Sequence, residues 1–133
     1  MKIRNVPVFI AVMALLAACS DPRPPEEVVA ERAQARWDAM AERDFQKAWE
    51  FYSPGFREQT SAELFSVEMA RRPVRWESAK VQQVNCADQR CEVSSEVAYS
   101  VPGASGPLAG HEGSREVDEI WIELDGKWWY AVE

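Results

Sequence analysis

Histidine is nearly absent from this chain of 133 residues: His111 stands alone. Any Ser-His-Asp arrangement would have to be built on it, and a metal site at the cysteines would need more ligands than it can add. The cysteines number three, Cys19, Cys86 and Cys91, too few and too scattered for a zinc cluster. Basic residues are outnumbered, 15 against 22 acidic for a net charge of -7, and none cluster beyond the first few positions. That balance excludes phosphate-backbone recognition, so no nucleic-acid partner is expected. No apolar run reaches the ~20 residues that cross a bilayer as a helix, and no glycine-rich phosphate cradle occurs. Neither a cofactor nor a metal is expected. What the chain has in quantity is apolar surface, 47% hydrophobic and 11% aromatic residues, which fits one folded domain and not a disordered segment.

The amino terminus is organised differently from the rest. Lys2 and Arg4 precede an apolar stretch over residues 6–16, followed by Ala17, Ala18 and Cys19. This is the layout of a signal peptide. The four residues Leu16-Ala17-Ala18-Cys19 resemble the lipobox of bacterial lipoproteins, which implies a lipid thioether on Cys19, cleavage just before it and acylation of the new terminus. An ordinary secreted protein and an uncleaved anchor are the rival readings. More than one acyl chain is needed for lasting attachment, because each buried methylene contributes about 0.8 kcal/mol and one chain binds only reversibly. The expected division is a signal peptide over 1–18, a membrane tether over 19–25 and a folded domain over 26–133. Pro22, Pro24 and Pro25 favour an extended tether of about 3 Å per residue. Ser20, in place of aspartate, resembles the outer-membrane sorting signal of enteric lipoproteins. The expected location is therefore the cell envelope, lipid-anchored, at the outer membrane facing the periplasm.

In an oxidising envelope Cys86 and Cys91 are expected to pair as a hairpin disulfide, with a redox pair, a metal site or free thiols as alternatives. Upstream, apolar residues recur at helical spacing over 26–43, again after Asp44, and again after Thr60-Ser61-Ala62-Glu63. Tyr52 extends the second of these stripes and Ser53-Pro54-Gly55 is expected to stop it. Three helices result. From Val74 the period becomes two: 74–84 reads as a poor strand, 91–101 as a clean one, and 102–114 as a mobile loop. Asp125-Gly126 marks a tight hairpin that sets Ile122 opposite Trp129, Ile120 opposite Ala131, Trp121 opposite Tyr130 and Glu123 opposite Trp128. With Ile120, Ile122, Leu124 and Trp129 turned toward the helices, Trp121, Trp128 and Tyr130 would lie on the back of the sheet and need a cover. The fold class is α+β: three N-terminal helices on a curved antiparallel sheet of about four strands, a cone-shaped roll.

The stretches Ala35-Arg36-Trp37-Asp38-Ala39-Met40, Asp44-Phe45-Gln46-Lys47-Ala48-Trp49, Tyr52-Ser53-Pro54-Gly55-Phe56-Arg57 and Asp125-Gly126-Lys127-Trp128-Trp129-Tyr130 resemble the nuclear transport factor 2-like superfamily, in particular its small bacterial lipoproteins. The resemblance implies a cone whose open end accepts a small apolar ligand. The expected wall is Trp37, Trp49, Tyr52, Phe56 and Phe65 from the helical half, with Trp76, Val97, Tyr99, Ile122 and Trp129 from the sheet; the alternative is that these side chains simply fill the core. It also implies dimerisation through the outer sheet face, for which Trp121, Trp128 and Tyr130 are the interface candidates, toward a second copy or another envelope protein; a cover by the 102–114 loop and plain exposure are the alternatives. Members include isomerases, dehydratases, cyclases and non-enzymatic modules, so fold does not select function.

The enzymes of that superfamily hold an aspartate, or an Asp-His pair, inside the cone. His111 sits between glycines in the expected loop, a poor mount for a base. Asp118 shares parity with Ile120 and Ile122 and is the one weak catalytic candidate; a solvated or salt-bridged carboxylate is its alternative. The leading expectation is a membrane-anchored, non-enzymatic interaction or assembly module. The alternative is a periplasm-facing binding protein, or an isomerase- or dehydratase-like enzyme, for a small hydrophobic molecule.

Overall fold

Pro24 and Pro25 decide where the first helix begins. Proline is tolerated at the first helical position because its missing N–H would be unpaired there anyway. Helix α1 (Pro25–Ala41) starts on that residue, with Glu26 and Glu27 in its first turn, where the helix dipole favours acid. The structure is a computed structural model and describes residues 21–103 and 106–132. The expected signal peptide, Cys19 and Ser20 lie outside the described residues. Arg43 takes a left-handed conformation to turn the chain. Asp44 then caps α2 (Phe45–Trp49), its carboxylate accepting from the Lys47 N–H at 3.1 Å.

Ser53-Pro54-Gly55 does not end a helix but opens one, α3 (Pro54–Gln59), again with proline at its start. The helices therefore number four, not three. Tyr52 leaves the second helix to bridge to Tyr130 of the sheet. Ser61 caps α4 (Ala62–Arg71), its hydroxyl accepting from Leu64 N–H at 3.2 Å, one place later than a cap at Thr60. Pro73 keeps Arg72 extended and ends that helix.

Four strands follow, β1 (Arg75–Ala87), β2 (Arg90–Val101), β3 (His111–Leu124) and β4 (Lys127–Ala131), paired in sequence order and antiparallel throughout. The α+β roll expected from the periodicity is the fold found. In β1 the register shifts twice, at Trp76/Ser78 and Val81/Gln83. With those bulges Trp76, Ala79, Val81, Val84 and Cys86 share the concave face, opposite Tyr99, Val97, Ser95, Val93 and Cys91 of β2. Cys86 and Cys91 are directly opposed and disulfide-bonded.

The β3–β4 hairpin has the expected register, but its faces are the reverse of those expected. Trp121 is completely buried, Trp128 is buried and Tyr130 half-buried, all on the helix side. Trp121 and Trp128 pack with Val28, Val29 and Ala33 of α1 and with Cys91 and Val93 of β2. The reason lies in the β2–β3 register, Cys91 to Trp121 and Val93 to Glu119, which carries the apolar face of β2 onto the odd-numbered residues of β3. Ile122 and Trp129 are thus on the convex face. Arg57, Lys127 and Arg32 hold cationic groups 4.7, 5.0 and 5.6 Å from the Trp129 ring, and they provide its cover.

Both edges of the sheet are occupied. On β1, the Gln34 side chain of α1 donates to Ala79 C=O at 2.8 Å and accepts from Val81 N–H at 3.1 Å. On β4, Tyr130 N–H donates to Phe51 C=O at 2.8 Å, and Ser53 N–H to Tyr130 C=O at 2.9 Å. Asp21, Arg23 and Pro25 lie beside Asp125, Gly126 and Lys127 of the β3–β4 turn.

Candidate functional site

Helix periodicity brings Val29, Ala33, Arg36, Trp37 and Met40 to the buried side of α1. Strand alternation brings Gly113, Arg115, Val117, Glu119 and Trp121 of β3 to the concave side of the sheet. Where these two rows meet, a charged pair is enclosed. Arg36 is 3% exposed and Glu119 2%. Arg36 Nη2 donates to Glu119 Oε1, and Trp37 Nε1 donates to Oε2 at 2.7 Å. The guanidinium is also set between rings, 4.5 Å from the centroid of Trp37, 4.3 Å from Tyr130 and 5.8 Å from Tyr52.

Burial pushes the Glu119 carboxyl up from its ordinary range, and Arg36 with the Trp37 N–H pulls it back. Burial likewise raises the hydroxyl of Tyr130 and takes that of Tyr52 to about 12, so both phenols stay protonated at neutral pH.

Outward from this pair the concave face opens into two adjoining chambers. The inner one, about 370 Å3, has Arg36, Trp37, Tyr52, Phe56, Phe65 and Tyr130 in its wall, with Glu68 and Val117. Its aromatic rings pack on one another, Tyr52 to Phe56 at 4.6 Å and Tyr52 edge-on to Phe65 at 5.0 Å. The outer chamber, about 410 Å3, is walled by Trp76, Val97, Tyr99, Val101, Leu108 and His111 with Pro73 and Val74. Arg72, Trp76 and Arg115 belong to both chambers. Both volumes lie in the range of small-molecule sites.

The side chains named from sequence divide as follows. Trp37, Tyr52, Phe56 and Phe65 line the inner chamber, Val97 and Tyr99 the outer, and Trp76 both. Trp49 does not join them: its Nε1 donates to Thr60 C=O at 2.8 Å and its ring lies 5.2 Å from the Arg57 guanidinium. Ile122 and Trp129 are excluded by the reversed faces of the hairpin. Asp118 is exposed on the convex side, paired with Ser94, and cannot enter the cone. His111 is not in the loop; it is the first residue of β3, with its ring 6.1 Å from Tyr99 in the outer chamber. Tyr99 lies across Gly113, where an added Cβ would come within 3.0 Å of the tyrosine oxygen. That close approach accounts for glycine opposite this tyrosine.

The expected wall omitted the charged residues Arg36, Glu68, Arg72 and Arg115, the apolar Val101, Leu108 and Val117, and Tyr130, and it did not anticipate Glu119 behind them. One signal for Glu119 was available. Trp121, Trp128 and Tyr130 make a bulkier apolar face than Ile120, Ile122 and Trp129, and choosing it turns Glu119 inward in place of Asp118.

Among the solved structures that the chain resembles are the following three. One is a SEC-C motif protein from Rhodopseudomonas palustris, 18% identical, TM-score 0.59, covering 76% of this chain and 73% of that one. Another, from Campylobacter jejuni, is described as an NTF2-like transpeptidase, 10% identical, TM-score 0.50, covering 77% and 96%. The third is described as an LEH-like epoxide hydrolase from M. tuberculosis, 16% identical, TM-score 0.50, covering 84% and 82%. The fold is an NTF2-like roll. At these identities the likeness is one of architecture, and the site of this roll rests on its own residues. No protein-family model matches the chain, and no curated protein matches it in sequence.

Proposed function

We propose that this chain is an envelope-tethered binding module that holds a small, largely apolar molecule in the cone and performs no chemistry on it. The observation that carries this reading is the pairing of two open, aromatic-walled chambers with a buried carboxylate whose oxygens are both engaged. Glu119 lies behind Arg36 and Trp37 and belongs to neither chamber wall, so it is out of hydrogen-bond reach of a molecule held there. The M. tuberculosis neighbour is named for hydrolysis of epoxides, but here the site favours holding over reacting. With Trp121 and Trp128 in the core, an interface built on the sheet back loses its anchors, and the cone becomes the surface on which function rests.

A neutral fluorescent probe, N-phenyl-1-naphthylamine, tests this. Saturable binding at one site per chain is expected, weakened about tenfold or more when Val101→Trp fills the outer chamber. Absence of saturable binding to the unsubstituted protein overturns the reading. The tether is tested separately by fractionation: Cys19→Ser should move the protein from membrane to soluble fraction, and unchanged membrane association counts against lipidation.

A further inference from the structure

Along β3 the concave face carries Arg115, Glu119 and, beside the β3–β4 turn at the far end, Glu123, and the first two are treated differently. Glu119 has a cation and an indole N–H aimed at it. Arg115, four residues nearer the mouth on the same strand and face, has no acidic partner within salt-bridge distance among the described residues. Arg72, which ends the fourth helix, reaches the same place from the helical side and likewise has none. Both arginines are exposed, and they share the boundary between the two chambers with the Trp76 ring. The one acid in either wall is Glu68, in the inner chamber.

Within the two walls the unpaired guanidinium groups outnumber the one carboxylate, in a chain whose net charge is -7, while Glu96 and Glu116 flank Arg115 on the other side of the sheet. A guanidinium presents paired donors that match a carboxylate, and apolar surroundings strengthen that attraction relative to open water. The rest of the outer chamber, Val97, Tyr99, Val101 and Leu108 with Trp76, offers an apolar body its contacts.

We propose that the ligand is an apolar molecule bearing a single carboxylate, its body in the outer chamber and its acid held by Arg72 and Arg115. This rests on the binding-module reading above and adds the charge of the ligand.

The test compares 4-butylbenzoate with 4-butylbenzamide, which have the same shape and differ in charge, by calorimetry on the full folded domain at low salt. The carboxylate should bind about tenfold more tightly than the amide. The paired substitution Arg72→Gln and Arg115→Gln should reduce that preference to less than about twofold. Should the paired variant fold poorly, the unsubstituted protein gives the same answer: the preference should shrink as salt rises from about 20 to about 500 mM. Equal binding of acid and amide, or a preference indifferent to both the arginines and salt, overturns the carboxylate and leaves the chamber standing. Binding of neither compound overturns both.

Discussion

Arg36→Met is expected to cost about 3–5 kcal/mol of folding stability at neutral pH, because it removes the cation from a carboxylate with no access to water. Glu119 would keep the Trp37 N–H but lose the guanidinium that offsets its burial. The pH dependence has a definite sign. Burial already raises the Glu119 carboxyl above its ordinary value of 4.5, and losing Arg36 raises it further. Between 4.5 and the raised value the native state holds a proton that the unfolded chain has released. That contribution to stability is fully present below the ordinary value and is lost as pH climbs through the folded one. The raised range is wider in the variant, so the gap between wild type and Arg36→Met should widen from acid toward neutral pH. Urea titrations at several pH values measure it; a constant gap would show that the pair does not titrate as a unit. Replacing both partners, Arg36→Met with Glu119→Leu, should recover most of the loss, since an apolar pair of similar volume needs no compensation.

Trp121→Ala should cost about 3–5 kcal/mol, the range for deleting a large buried aromatic. Trp121 is fully buried between α1 and β2, whereas Trp129 lies on the convex face under three cationic side chains. Trp129→Ala should therefore cost about 1 kcal/mol, the scale of an exposed cation–π contact. Thermal or chemical unfolding of the two variants decides which face of the hairpin meets the helices; equal costs, or the reverse order, would contradict the arrangement described above. Trp121→Phe should be far milder than Trp121→Ala. The indole Nε1 is buried with no hydrogen-bond partner among the described residues, so the smaller ring gives up area but also an unsatisfied donor.

These two sites show where sequence carries information about this fold and where it stops. Strand β2 was legible because every second residue from Cys91 to Val101 is apolar or small, and a two-residue turn fixed each cross-strand pair of the last hairpin. Neither feature says which side of that hairpin faces in. Both sides are apolar, and the decision belongs to the β2–β3 register, which spans a long connection with no local signal. Strand β1 looked poor for a different reason: its two bulges space the inward residues by three and by two, so no single period describes it. Arg36 was hidden among the polar positions of a helix, and its burial is explained only by a carboxylate 83 positions away. On the helical half, amphipathic spacing placed Trp37 of α1 and Phe65 of α4 inward, whereas Phe56 sits on a short helix that Ser53-Pro54-Gly55 was expected to prevent.

The chain enters the fold beside the β3–β4 turn, at the end where the β1–β2 turn also lies, while the chambers open toward Val101, His111 and Pro73 at the far ends of the strands. A strand as long as β2, twelve residues, separates the two ends by roughly 30–40 Å. For a copy held by fatty chains on Cys19, the turns sit nearest the headgroups and the opening looks away from them. Such a copy would collect its guest from the aqueous layer, or receive it from a soluble carrier, and would be badly oriented for pulling lipids out of the leaflet beneath.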